Sequence, residues 1–193
     1  MQKSPRLTEF HKQARSEFAR KNMGIQWNDV GFSVTMLPTA EVKKHAKQSL
    51  ELAKIGKGPS ELQNGKEFYK YMFTNHPDLR RYFKGAESFT ADDVEKSERF
   101  EKQGQRILLA VHILADTFDD DMTFRAYARE TVNRHRQYKM DPELWSAFFT
   151  VLVNFLASRG SVSDEQKKAW EQLGKVFNEE CQSHLTSLGL PHC

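Results

Sequence analysis

The sequence predicts an all-α fold, and three observations lead to that prediction. The 193 residues include ten glycines and six prolines, about 8% of the chain where about 12% is usual, so few positions interrupt a long helix. Apolar residues recur with helical spacing between short polar breaks. No segment alternates polar and apolar residues over the length of a strand. A bundle of helices is therefore expected.

Local start and stop signals divide the chain into helices. Gly56 to Pro59 ends the first one, and Thr90 caps the long central run. Asp141-Pro142 places proline at a first helical position, and Ser163 with Gln166 forms a capping box. The predicted helices are 40–55, 60–75, 91 to about 117, about 121–136, 142–158 and 164 to about 185.

Several classes of protein are excluded by composition. The longest apolar run, Ile107 to Val111, has five residues, whereas a membrane-spanning helix needs roughly 20. Two cysteines, Cys181 and Cys193, are too few to hold a secreted scaffold together. Residues 1–20 carry charges throughout and lack the apolar stretch of a secretory signal. A cytoplasmic protein is expected, and an intermolecular disulfide through Cys193 stays open.

Charge is distributed unevenly along the chain. Of 29 basic and 26 acidic residues, six bases and three acids lie in residues 1–40, which leaves 23 of each sign beyond. Phosphate binding needs a basic face, so the balanced remainder indicates no nucleic-acid partner.

The basic segment 1–38 is predicted to be an extension ahead of a single domain, 39–193. A mostly disordered tail is the favoured interpretation. The alternative is an amphipathic helix that contacts a membrane surface or a partner through residues 1–21. A mitochondrial presequence is a third interpretation, weakened by two early acids. The apolar residues at helical spacing here are Leu7, Phe10, Ala14 and Phe18.

Gln103 is the first candidate functional residue. At about 100° per residue it shares one helical stripe with Ile107, Ala110 and Leu114. A buried amide costs stability unless something bonds to it. Periodicity alone leaves open that Gln103 ends the stripe in solvent. His112 lies on the opposite face of the same helix and cannot share a pocket with Gln103.

His135 is the second candidate, because it ends an apolar stripe on the following helix. Such a histidine is more often a core residue than a ligand. Zinc would need three or four ligands, and Cys181 with His184 is a weak pair. The sequence also lacks the usual phosphate, dinucleotide and nucleophile motifs. One helical histidine with an open opposite face suits a haem iron better.

Four motifs in order give the chain a family resemblance. They are Phe68-Tyr69-Lys70-Tyr71-Met72-Phe73 running into His76-Pro77-Asp78-Leu79, then Arg81-Tyr82-Phe83, then Lys102-Gln103-Gly104-Gln105, and finally Asn133-Arg134-His135-Arg136. Tyr69 and Phe83 are 14 residues apart, Phe83 and Gln103 20, and Gln103 and His135 32. From about residue 39 to residue 190 the sequence resembles a globin of the intracellular nematode type.

The resemblance implies a globin fold of about seven to eight helices around a haem b. It makes His135 the proximal iron ligand and Phe83 the aromatic residue packed on the haem. Gln103 becomes the distal residue, with Tyr69 as a second distal donor. The other implied residues are Ile107 over the distal face, Phe73 and Phe149 as further lining, Arg106 at a haem propionate with Arg134 and Lys139 as weaker candidates, and Gly65 with Gly104 at a helix crossing.

The function implied is reversible binding of dioxygen, with other diatomic gases as further ligands. Tyr69 and Gln103 can both donate hydrogen bonds to the partly negative dioxygen, so tight, slowly released oxygen is expected. The alternatives are a haem enzyme, such as a nitric oxide dioxygenase or a nitrite reductase, and a redox or oxygen sensor. Because the chain has no flavin or nicotinamide module for re-reduction, oxygen binding is favoured. A homodimer stays open.

Overall fold

The computed structural model describes residues 36–193, which form helices and no strands. The all-α prediction is therefore confirmed for this part of the chain. Most of the predicted extension 1–38, including the segment 1–21 for which an amphipathic helix was the alternative interpretation, lies outside the described residues. The seven α-helices between 36 and 193 are α1 (Thr39–Ser49), α2 (Pro59–Asn75), α3 (Ala91–Glu95), α4 (Glu98–Thr117), α5 (Asp121–His135), α6 (Leu144–Arg159) and α7 (Asp164–Ser187). Short 3-10 segments cover Leu50–Ala53, Pro77–Tyr82 and Arg136–Tyr138.

The long central run predicted as one helix is two helices. Thr90 and Asp93 form a capping box that starts α3, in which the Thr90 N–H donates to Asp93 Oδ2 at 2.8 Å. Ser97 then adopts the extended backbone of an N-cap residue, so α4 begins at Glu98.

α6 also begins later than predicted. Asp141 Oδ1 accepts a hydrogen bond from the Glu143 N–H at 3.2 Å, and the Asp141 carbonyl accepts one from the Leu144 N–H at 3.0 Å. The aspartate therefore makes a local turn with its own backbone, and the helix starts only after it. The capping box of Ser163 and Gln166 begins α7 as predicted.

α5 is tied to α7 by a shared carboxylate. Glu180 of α7 pairs with Arg125 at 3.0 Å and with Arg129 at 2.6 Å, both on α5. Burial acts to raise the pKa of Glu180, but the hydrogen bonds to the two arginines and their positive charges together outweigh it and hold the pKa below its usual value. These contacts hold the helix that ends at His135.

α1 packs on α7 around a small polar core. The Trp170 indole N–H donates to Ser49 Oγ at 2.8 Å, and that hydroxyl donates to the Ala46 carbonyl at 2.7 Å. Trp170 and Ser49 are both buried, so this short chain satisfies two polar groups that water does not reach. Within residues 36–193, no helix is long and apolar enough to cross a membrane.

Candidate functional site

A cavity of about 590 Å³ lies among α2, α4, α5, α6 and the 3-10 segment after α2. Its size and its mostly apolar wall with a few polar groups are typical of a small-molecule or cofactor site. Six predicted site residues lie on the wall, namely Tyr69, Phe83, Gln103, Arg106, Ile107 and His135. Ala110 and Leu114 also lie there, so the whole stripe predicted on α4 faces the cavity.

Two predicted lining residues are not part of the wall. Phe73 is fully buried behind it, with its ring centroid 5.2 Å from those of both Phe83 and Phe100. Phe149 packs instead on Phe177, at a centroid distance of 5.3 Å, and against Gly174. Both side chains pack within the aromatic core, away from the residues that line this cavity.

The weaker basic candidates differ in position. Arg134 lies on the wall and pairs with Glu130 at 2.9 Å. Lys139 is absent from the wall and has a left-handed backbone with φ of 47°. Arg106 is an exposed residue at the cavity, a position from which a guanidinium can reach an acidic group at the edge of a bound cofactor.

His135 presents one nitrogen to the cavity because its other nitrogen is occupied. Its Nδ1 lies 2.7 Å from the Thr131 carbonyl, one turn earlier on α5. A carbonyl can only accept, so Nδ1 carries the proton and donates it. In the neutral imidazole Nε2 then carries the lone pair, which is the arrangement found in histidine ligands of metals.

Two aromatic rings pack against the His135 ring. Trp145, at the start of α6, meets it edge-on at a centroid distance of 5.5 Å and an interplanar angle of 83°. Tyr138 lies at 5.9 Å and 62°. Trp145 is buried, and these contacts restrict the orientation of the imidazole.

Tyr69, which also lies on the cavity wall, is packed among phenylalanines. Its ring centroid lies 5.0 Å from that of Phe100 and 5.5 Å from that of Phe83. Between residues 36 and 193 its hydroxyl has no hydrogen-bond partner. Burial raises the pKa of Tyr69 well above its usual value, a change that the nearby Arg99 charge only partly opposes. The Tyr69 hydroxyl therefore stays protonated and can donate a hydrogen bond to a molecule bound in the cavity.

Gln103 is half-buried on the wall, and its carbonyl oxygen is engaged. Oε1 accepts a hydrogen bond from Arg99 Nε at 3.1 Å. The amide N–H₂ remains as a second donor group.

The donor set fits an iron porphyrin better than a bare metal ion. Among residues 36–193, no three His, Cys, Asp or Glu side chains are grouped to hold a metal ion. A haem brings four nitrogen ligands of its own and needs only one protein ligand on its proximal side. His135 is a residue that could supply such a ligand, and it lies on the wall of the cavity of about 590 Å³.

Sequence reasoning missed Arg99 and Trp145. Arg99 precedes Gln103 by four residues, and helical spacing puts such pairs on one face, so the contact could have been predicted. Trp145 is ten residues beyond His135 in a different helix. No local pattern brings those two rings together.

Comparison with known proteins finds one family. The family model described as "Globin" matches residues 66–181. A protein named "Myoglobin" from Nippostrongylus brasiliensis is 60% identical over 153 residues, which are 79% of this chain and 99% of that protein. A "Globin, cuticular isoform" from the same organism is 50% identical over 162 residues, 83% of this chain and 92% of that protein. The high-resolution structure of the globin-like protein GLB-1 of C. elegans shares 55% identity, with a TM-score of 0.81, and the alignment covers 81% of this chain and 99% of that one.

Proposed function

The chain belongs to the globin family, and on that premise we propose that it binds dioxygen reversibly for storage, with a Tyr69 and Gln103 pocket that releases the gas slowly. Family membership implies a haem. We assign it as haem b, because the sequence has no Cys-x-x-Cys-His motif for covalent attachment. His135 is the proposed proximal ligand, and Phe83 would pack on the haem.

One observation carries the proposal: two hydrogen-bond donors face the cavity without a protein acceptor. The Tyr69 hydroxyl has none between residues 36 and 193, and Arg99 occupies the carbonyl oxygen of Gln103 rather than its N–H₂. When bound, the haem iron supplies the coordination site for dioxygen. The phenol and the amide would then be placed to donate hydrogen bonds to the partly negative gas molecule.

The two donors are strong enough to dominate the release rate. A hydrogen bond to a charged acceptor contributes about 1.5 to 3 kcal/mol, and 1.4 kcal/mol is a factor of ten. Carbon monoxide carries less charge and gains less from the same donors. We therefore propose that the two donors slow the release of oxygen much more than the release of carbon monoxide. Tyr69 makes the larger contribution, because its rigid ring fixes the hydroxyl.

We further propose a cytoplasmic protein in which residues 39–193 form the globin domain and residues 1–38 an extension. Identity is higher to the relative named myoglobin than to the cuticular isoform, which supports the cytoplasmic assignment. Leu37, near the end of the proposed extension, is hydrogen-bonded to the globin domain. Its N–H donates to Gln172 Oε1 at 3.0 Å, and its carbonyl accepts from Gln172 Nε2 at 2.9 Å.

Stopped-flow displacement of oxygen from the purified haem protein tests the proposal. Tyr69→Phe keeps the ring and removes the hydroxyl, so oxygen release should accelerate at least about tenfold. Carbon monoxide release should change much less. Tyr71→Phe is the matched control, because Tyr71 is a half-buried phenol on the same helix but off the cavity wall. Equal oxygen release from the wild type and Tyr69→Phe would contradict the proposed pocket.

A further inference from the structure

We propose that Arg99 is a positioning residue that orients the Gln103 amide so that its N–H₂ group, and not its oxygen, faces the ligand. The inference rests on the proposed oxygen-binding function and concerns a residue outside the predicted haem contacts.

The contact with Arg99 identifies which atom of the Gln103 amide is the oxygen and which is the nitrogen. A guanidinium has only donors, so the Gln103 atom 3.1 Å from Arg99 Nε must be the carbonyl oxygen. Both amide hydrogens then belong to the other end of the group. Arg99 itself lies on the cavity wall, one helical turn before Gln103 on α4.

The guanidinium is anchored by contacts other than Gln103. Arg99 Nη1 donates to the Lys84 carbonyl at 2.8 Å, and Cζ lies 5.5 Å from the ring centroid of Phe100. Lys84 directly follows Phe83, the aromatic residue proposed to pack on the haem. Arg99 thus links the segment proposed to contact the haem to the Gln103 amide.

The orientation of the Gln103 amide matters because one end of it donates hydrogen bonds and the other end accepts them. The last torsion of a glutamine side chain is broad and roughly two-fold, so an unanchored amide samples both ends. One end donates to dioxygen, whereas the other presents a partly negative oxygen to a partly negative ligand. Arg99 excludes the second arrangement. The resulting slowing of ligand release is larger for a ligand with more partial negative charge.

The Arg99 charge also acts on Tyr69, whose pKa it lowers against the larger effect of burial. That influence does not pass through Gln103. A simple charge effect on the cavity must therefore be separated from orientation of the amide, and a double-mutant cycle makes that separation.

The test measures oxygen and carbon monoxide release from Arg99→Met, in the wild-type and in the Gln103→Leu background. Arg99 is exposed, so the variant is expected to fold. Arg99→Met alone should release oxygen about two- to tenfold faster, with little change for carbon monoxide. In the Gln103→Leu background the same substitution should change oxygen release less than about twofold. Lys102→Met is the matched control, because Lys102 is 70% exposed beside Glu98 and also loses one positive charge from α4.

A second readout needs no haem. In the haem-free chain, the side-chain amide signals of Gln103, identified by their loss in Gln103→Leu, should show increased mobility by ¹⁵N relaxation in Arg99→Met and not in Lys102→Met. Equal acceleration of oxygen release in both backgrounds, or none in either, would overturn the positioning role. If the wild type and Gln103→Leu release oxygen equally, the distal role of Gln103 and this inference both fail. If they differ and Arg99→Met behaves as the wild type, only this inference fails.

Discussion

Gly65 and Gly104 meet backbone to backbone where α2 crosses α4. A Cβ placed on Gly65 would lie 2.5 Å from the Gly104 carbonyl carbon, and a Cβ on Gly104 would collide with the Gly65 backbone in the same way. All the atoms that these two Cβ atoms would meet belong to the backbone and not to a flexible side chain. Because Gly104 directly follows Gln103, and Tyr69 is one turn beyond Gly65, the depth of this crossing sets the distance between Tyr69 and Gln103, the two proposed donors.

Gly104→Ala should therefore destabilise the protein. In an isolated helix the change from glycine to alanine stabilises by about 1 kcal/mol, but here two helices must move apart. Overpacking costs about 1 to 3 kcal/mol, and a backbone collision is at the upper end, so the free energy of unfolding should fall by about 2 kcal/mol. Urea unfolding measures it. An unchanged stability for Gly104→Ala would contradict the close crossing.

Helical geometry predicts which residues share a face of α4 with Gln103, whereas the choice of Gln103 and His135 as site residues came from the family resemblance. A residue's angular position on a helix follows from its number, and the stripe through Gln103, Ile107, Ala110 and Leu114 lies on the cavity. Phe73 shows where this reasoning ends. It is one turn beyond Tyr69, yet its ring turns into the core, because packing among Phe83 and Phe100 decides the direction. Sequence spacing carries no information about that choice.

His135→Leu should abolish stable haem retention and leave a largely helical chain. His112→Leu is a close control, because His112 Nδ1 also lies 2.8 Å from the carbonyl one turn earlier, that of Leu108, but His112 is not on the cavity wall. It should retain haem and an unchanged ferrous spectrum. Absorption spectra after gel filtration and far-UV circular dichroism measure both effects. An unchanged five-coordinate ferrous spectrum in His135→Leu would show that another residue is the proximal ligand.

Trp145→Leu should speed haem loss, because the edge-on contact at 5.5 Å restricts the His135 imidazole. Aromatic pairs contribute about 0.5 to 1.5 kcal/mol beyond burial, so the rate of haem transfer to an excess of a haem-free scavenger globin should rise about two- to tenfold. Trp145→Phe keeps an aromatic edge and should recover part of the difference. Equal haem loss in the wild type and Trp145→Leu would show that the ring contact has no role in proximal geometry.

The raised pKa of Tyr69 predicts a pH dependence of stability with a definite sign. Burial is the main cause of the shift, and Arg99 opposes it only in part. In the unfolded chain a tyrosine ionises near pH 10, while the folded chain keeps the Tyr69 proton to higher pH. The unfolded state is therefore favoured as pH rises above about 10. The stability that the neutral phenol provides is fully present below that pH and is lost as pH rises towards the folded pKa.

Urea unfolding of the haem-free wild type and Tyr69→Phe, measured from pH 8 to pH 11, isolates this contribution. Every other titrating group is common to both chains, including Cys181, whose pKa is raised by burial, so the difference between the two free energies of unfolding reports Tyr69. It should be constant up to about pH 9 and then shift against the wild type by about 1.4 kcal/mol at pH 11, because one pH unit corresponds to that free energy per proton. A difference that stays constant to pH 11 would mean that the Tyr69 phenol ionises as readily in the folded chain as in the unfolded one, and that water reaches the hydroxyl proposed to hold oxygen.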